Sequence, residues 1–192
     1  MKLPITSNED YRLRILAKKV NTCNSVLDIG CAQLPNKFLK NNTVTGLDLN
    51  QAELPLNYST FIKGSLDDVI KMQKTFDAIV AGEILEHLLD PMHFLQQCNQ
   101  ALKPGGILAI STPNPHSIIE VLLTMTLNRK YFYTKDHVML FPQRWLIRML
   151  EIKGFTGIKL YSAGFPIPKY GLIPFPRFLC HQTIAIATKA MV

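Results

Sequence analysis

At 192 residues, 47% apolar and only 18% charged, the chain suffices for one full core and falls short of two ordinary domains, so a single domain over 1–192 is expected. Its 21 Lys and Arg outnumber 14 Asp and Glu, leaving a net charge of +7, but the basic residues are scattered, which favours a solvated surface and argues against a nucleic-acid partner. Four cysteines without C-x-x-C pairing, no apolar run near the ~18 residues of a membrane span, and Pro4 with mixed charges where a leader would be apolar predict a soluble, cytoplasmic protein with reduced thiols and at most peripheral membrane contact.

A helix is expected over about 10–20, and from there short apolar strands alternate with helical stretches. The strands are SVLDIG, TVTGLDL, TFIKGS, FDAIVAG and GILAIST, a rhythm that means a parallel sheet with crossover helices. Helical spacing predicts the intervening helices at 36–40, 66–73, 91–102 and 142–153. Pro91 suits a first helical turn, and LKPGG at 102–106 is a stop signal that turns the chain into the next strand. The last third departs from this rhythm, with strands at 157–163 and 183–188 forming an antiparallel pair at one edge. Segments 116–137 and 164–181 have no place in the sheet and have the length of lids or substrate loops.

Three groups of residues suggest chemistry. In VLDIGCA, Asp28 and Gly30 end a buried strand, and a glycine there lets a ligand approach the backbone. In GLDLN, Asp48 ends the next strand about 20 residues on, placed to accept hydrogen bonds from ribose hydroxyls. In FDAIVAGEILEHLLDP, a helix entered directly from the strand would put Glu83, Glu86 and His87 on one face, at positions i, i+3 and i+4. His137 of KDHVMLF is a candidate fourth ligand. Two carboxylates and two imidazoles suit Mg²⁺, Mn²⁺ or Zn²⁺.

VLDIGCA, GLDLN, FIKGSLDD, FDAIVAGEILEH and LKPGGILAISTPNP occur in the order found in class I S-adenosylmethionine-dependent methyltransferases, which the chain resembles over about 24–160. The resemblance implies a Rossmann-like, doubly wound α/β fold, a seven-stranded sheet of order 3-2-1-4-5-7-6 with strand 7 antiparallel. By position, Asp28 and Gly30 would line the methionine moiety of S-adenosylmethionine. Asp48 would hold the ribose, Ser65, Leu66 and Asp67 the adenine, and Gly82 and Glu83 would flank the cofactor. The E-x-x-E-H pattern with a histidine after STPN resembles the Mg²⁺-type site of ubiquinone-pathway and small-RNA O-methyltransferases.

The glycine loop departs from the family's D-x-G-C-G-x-G, because Ala32 and Leu34 replace two glycines and Pro35 follows. This leaves two readings. In the favoured one the chain methylates a hydroxyl, with His87 or His137 as general base, or with a cation at Glu83, Glu86, His87 and His137 lowering the hydroxyl's pKa. Ile118, Leu122, Leu123, Tyr131, Phe132, Tyr133, Phe165, Tyr170, Phe175 and Phe178 suit a small, lipid-like or glycan acceptor, with Arg129, Lys130 and Lys135 available to a phosphate. In the other, the chain is a non-catalytic cofactor-binding or scaffolding relative. A dinucleotide oxidoreductase is disfavoured, since G-x-G-x-x-G is absent.

Overall fold

In the computed structural model, which describes residues 8–40, 43–126, 137–167, 171–173, 176 and 179–191, the alternation of strands and helices builds one large sheet. Its strands are β1 (Ser25–Ile29), β2 (Thr43–Asp48), β3 (Tyr58–Lys63), β4 (Phe76–Gly82), β5 (Leu102–Pro113), β6 (Phe155–Ser162) and β9 (Gln182–Lys189), and a separate hairpin pairs β7 (Phe165–Ile167) with β8 (Gly171–Ile173). The large sheet runs β3-β2-β1-β4-β5-β9-β6. β9 is its seventh strand in chain order and lies antiparallel between β5 and β6, so the order and the reversed last strand are those the family resemblance implies.

Alternation along the strands divides the core between the two faces of the sheet. Val26, Val44, Ala78, Val80, Ala109 and Ile184 pack with Leu16, Ala17 and Val20 of α1 (Asn8–Val20). Leu27, Leu47, Ile79, Leu108 and Ile110 face the other way. They pack with Val69 of α2 (Leu66–Lys71), Leu95 and Cys98 of α3 (Pro91–Ala101), and Leu146 and Leu150 of α5 (Gln143–Ile152). A fully buried leucine such as Leu16 or Leu95 contributes roughly 1.5–3 kcal/mol, so each helix is held by its apolar stripe and not by propensity alone.

Local signals set the helix starts. Pro91 opens α3, with the Asp90 carboxylate accepting from the His93 N–H at 2.9 Å. α2 begins at Ser65, whose N–H and hydroxyl both donate to Asp68 Oδ2. Two expectations fail. Residues 36–40 form turns instead of a helix, because the Asn36 side chain is committed to Leu13 O and the Phe38 N–H in an Asx-type turn.

The helix expected to open at Glu83 also does not form. Glu83 has φ +56° and its N–H donates to Ser111 O, and only a single 3-10 turn, Leu85–His87, follows. Segment 116–137 contributes α4 (Ile118–Thr126), whose Ile118, Val121, Leu122 and Met125 are exposed on its outer face. Tyr131, Phe132, Tyr133, Tyr170, Phe175, Phe178, Arg129, Lys130 and Lys135 lie outside the described residues. Among the described residues, no helix is long and apolar enough to cross a membrane.

Candidate active site

The carboxyl ends of β1, β2 and β4 open onto a cleft of about 870 Å³, where ligands bind in parallel α/β sheets. Of the residues singled out in the sequence, Asp28, Gly30, Asp48, Ser65, Leu66, Gly82, Glu83 and His87 line it. Asp67 does not: its carboxylate accepts from Gln97 Nε2, and Gln97 is the residue that reaches the cleft.

Gly30 ends β1 at φ +74°, a left-handed conformation that glycine adopts without strain, and its N–H donates to Leu47 O at 2.8 Å. A Cβ there would sit 2.2 Å from Ile84 Cδ1, so the β1 turn and the post-β4 turn approach one another only because position 30 is bare. Gly82 plays a related part. A Cβ on it would come within 2.8 Å of Arg12 Nη1, which passes over β4 at that point.

Asp48 ties down both rims at one end of the cleft, accepting from Ala32 N–H at 2.9 Å and Asn50 N–H at 2.8 Å. Each of its oxygens keeps a lone pair for a hydroxyl donor. Asp28 is buried and turned away from solvent: its Oδ2 accepts from the Tyr58 hydroxyl and from Asn36 N–H at 3.2 Å. Burial pushes its carboxyl up to about 6, opposed by the Tyr58 and Asn36 hydrogen bonds and the Arg12 charge.

At the other end of the cleft, Glu83 joins a polar cluster that the sequence did not reveal. Its Oε1 accepts from Ser111 Oγ at 2.9 Å and its Oε2 from Gln182 Nε2 at 2.9 Å. Arg12 is almost fully buried, donates to Ser111 Oγ at 3.1 Å and pairs with Glu9, and its Nη1 stands 3.6 Å from Glu83 Oε1. Burial raises the Glu83 carboxyl, with the Arg12 charge opposing it. A non-glycine residue at positive φ costs of order 1 kcal/mol, and the Ser111 and Gln182 hydrogen bonds hold Glu83 in place against that cost. One signal for Arg12 was present in the sequence. It shares the buried stripe of α1 with Leu13, Leu16, Ala17 and Val20, where a cation has no reason to sit without a partner.

The expected quartet resolves into a trio. Ligand atoms of Glu86, His87 and His137 lie within 4.8 Å of one another, and the two imidazole rings meet edge to face with centroids 4.8 Å apart. Glu83 does not join them, because the left-handed turn aims its carboxylate at Gln182 and Ser111. Two backbone hydrogen bonds to Glu86 O, from Val138 N–H at 2.8 Å and Met139 N–H at 3.3 Å, lock His137 beside the 3-10 turn. The Glu86 side chain is fully buried beside Thr112, and among the described residues neither carboxylate oxygen makes a well-formed hydrogen bond. Burial, then the Glu83 charge, pushes its carboxyl up to about 8. A buried carboxylate with open lone pairs beside two imidazoles is a donor set that fits a divalent cation.

Residues 5–160 match a family model described as a methyltransferase domain. A ubiquinone biosynthesis O-methyltransferase from Vibrio parahaemolyticus is 29% identical over 126 residues, 58% of this chain and 54% of that protein. The human mitochondrial ubiquinone biosynthesis O-methyltransferase is 51% identical over 51 residues, 26% of this chain and 14% of its own length. The chain therefore spans about half of the bacterial relative and a small part of the human one. Among solved structures, a SAM-dependent methyltransferase from Archaeoglobus fulgidus shares the fold with a TM-score of 0.69 at 21% identity, covering 95% of each chain.

Proposed function

Since the chain belongs to the methyltransferase-domain family, the class I S-adenosylmethionine-dependent methyltransferases, we propose that it transfers a methyl group from S-adenosylmethionine to a hydroxyl of a small, lipid-like or glycan acceptor. The observation that carries the hydroxyl reading is the Glu86, His87 and His137 trio, with His87 in the cleft wall. Its relatives among ubiquinone biosynthesis O-methyltransferases support transfer to an oxygen.

The cleft fits the cofactor in volume, in its bare glycine floor and in its charges. Asp48 would accept from ribose hydroxyls, Ser65 and Leu66 would border the base, and Asp28 would hold the turn beneath the cofactor. Gly30 and Gly82 would let it approach the strand ends, where Arg12 and Glu83 supply a cation and an anion for a zwitterionic amino-acid end. When bound, S-adenosylmethionine supplies an electrophilic methyl group on a sulfonium. The chain's task is to align the acceptor oxygen and exclude water.

A hydroxyl must also lose its proton as the oxygen–carbon bond forms. His87 or His137 would take it on a ring nitrogen. If Glu86, His87 and His137 hold a divalent cation, Mg²⁺ among the candidates, the cation supplies acidification of the hydroxyl instead. The experiment is transfer of labelled methyl from S-adenosylmethionine to a panel of hydroxylated aromatics, lipids and lipid-linked glycans, with Mg²⁺ and with chelator. Label on an acceptor oxygen supports the reading. Cofactor binding without turnover across the panel would favour the non-catalytic relative.

A further inference from the structure

The turn that replaces the family's glycine loop contains Ala32, Leu34 and Pro35, yet neither Ala32 nor Leu34 sits at positive φ. The chain path there needs no glycine beyond Gly30, so something other than glycine geometry must define it. The 31–36 turn is tied down at both ends. Ala32 N–H is held by Asp48 at 2.9 Å. Asn36 N–H donates to the Tyr58 hydroxyl at 2.7 Å and to Asp28 Oδ2 at 3.2 Å, while the Tyr58 hydroxyl donates to the same Asp28 oxygen. Asn57, next to Tyr58 in sequence, adds Nδ2 hydrogen bonds to Asn36 O at 3.3 Å and Leu39 O at 2.9 Å.

We propose that Tyr58 is a positioning residue for the cofactor: from the first position of β3 it latches Asp28 and Asn36 together, giving the 31–36 turn the fixed shape that glycines give it elsewhere in the family. The inference rests on the reading that this cleft binds S-adenosylmethionine. Tyr58 itself is not among the cleft-lining residues, whereas Asp28, Gln33 and Leu34 are. It acts through them. Its hydroxyl is both acceptor from Asn36 and donor to Asp28, a chain in which each bond polarises the next and which phenylalanine cannot reproduce. The groups that face the Asp28 carboxylate are Tyr58 from β3, Arg12 from α1 and Cys31 from the turn. Tyr58 favours its charged form, so removing the hydroxyl shifts Asp28 protonation to higher pH.

The test compares wild type with Tyr58→Phe and Asn57→Ala by amide hydrogen exchange and by calorimetric titration with S-adenosylhomocysteine from pH 5 to 9. Expected for Tyr58→Phe are at least tenfold faster exchange at Asn36 and its neighbours and a fivefold to tenfold higher Kd at pH 7.5. The pH below which affinity falls should also move upward, which a merely structural role would not do. Asn57→Ala should loosen the same turn without moving that pH. Unchanged exchange in the 31–38 stretch overturns the latch, and faster exchange with an unchanged Kd and pH profile overturns the positioning role. Wild type that binds no S-adenosylhomocysteine overturns the cofactor reading instead, and the exchange rates then decide the latch by themselves.

Discussion

Gly30→Ala should damage the site by two separable routes. The first is backbone strain: a β-carbon at φ +74° costs about 1 kcal/mol. The second is steric, since that carbon would lie 2.2 Å from Ile84 Cδ1 and 3.3 Å from Ile84 Cγ1. Ile84 is partly buried against the core, so it must leave its rotamer and part of its packing, for about another 1–2 kcal/mol. The total of about 2–3 kcal/mol corresponds to a fall of about 5–10 °C in Tm for a chain of this size. A double-mutant cycle read by urea denaturation separates the routes. In an Ile84→Ala background, Gly30→Ala should cost only its strain of about 1 kcal/mol, a coupling of about 1–2 kcal/mol. The same cost in both backgrounds would refute the steric argument, and no cost in either would refute the strain as well.

Three further outcomes are expected. Arg12→Leu leaves Glu83 facing a cleft without its buried cation and should cost about 2–4 kcal/mol in urea denaturation, with weaker S-adenosylhomocysteine binding alongside. Asp28 keeps its proton up to about 6 when folded, against 3.8 when unfolded, so its contribution to stability falls as pH rises from about 4 to 6 and is level above that. Asp28→Asn should remove a slope of up to about 3 kcal/mol across that window in pH-dependent denaturation. Asp48→Ala should weaken S-adenosylhomocysteine by about 1–3 kcal/mol in calorimetry, through lost ribose hydrogen bonds and release of the Ala32 and Asn50 amides.

The sheet was legible because its strands are local and apolar: SVLDI, TVTGLD and FDAIVAG carry their own signal, their parallel direction follows from the alternation with helices, and the strand order was what the family resemblance implies. Even the reversed seventh strand was foreshadowed by the break in rhythm after residue 155. What was hidden depends on distant partners. Gln182 reaches Glu83 across 99 residues, as Arg12 does Ser111, and no spacing rule links such pairs. Helical periodicity also misplaced Glu83. The hydrogen bond from its backbone to Ser111 on β5 competes with the helix and wins, turning the carboxylate towards Ser111 and Gln182 and leaving Glu86, His87 and His137 as the three side chains that gather within 4.8 Å. The 36–40 turn was misread for the same reason, because an asparagine side chain replaces the backbone partners a helix would need.

If the cleft at the ends of β1, β2 and β4 takes a nucleoside cofactor, as proposed, it does so although Ala32 and Leu34 stand in the adjoining turn, Leu34 lining the cleft itself. Calorimetric titration of the unmodified protein with S-adenosylhomocysteine tests that proposal most directly. Saturable one-to-one binding in the micromolar range is expected, lost when Asp48 and Gly30 are both substituted. An absence of binding heat at millimolar ligand would contradict it.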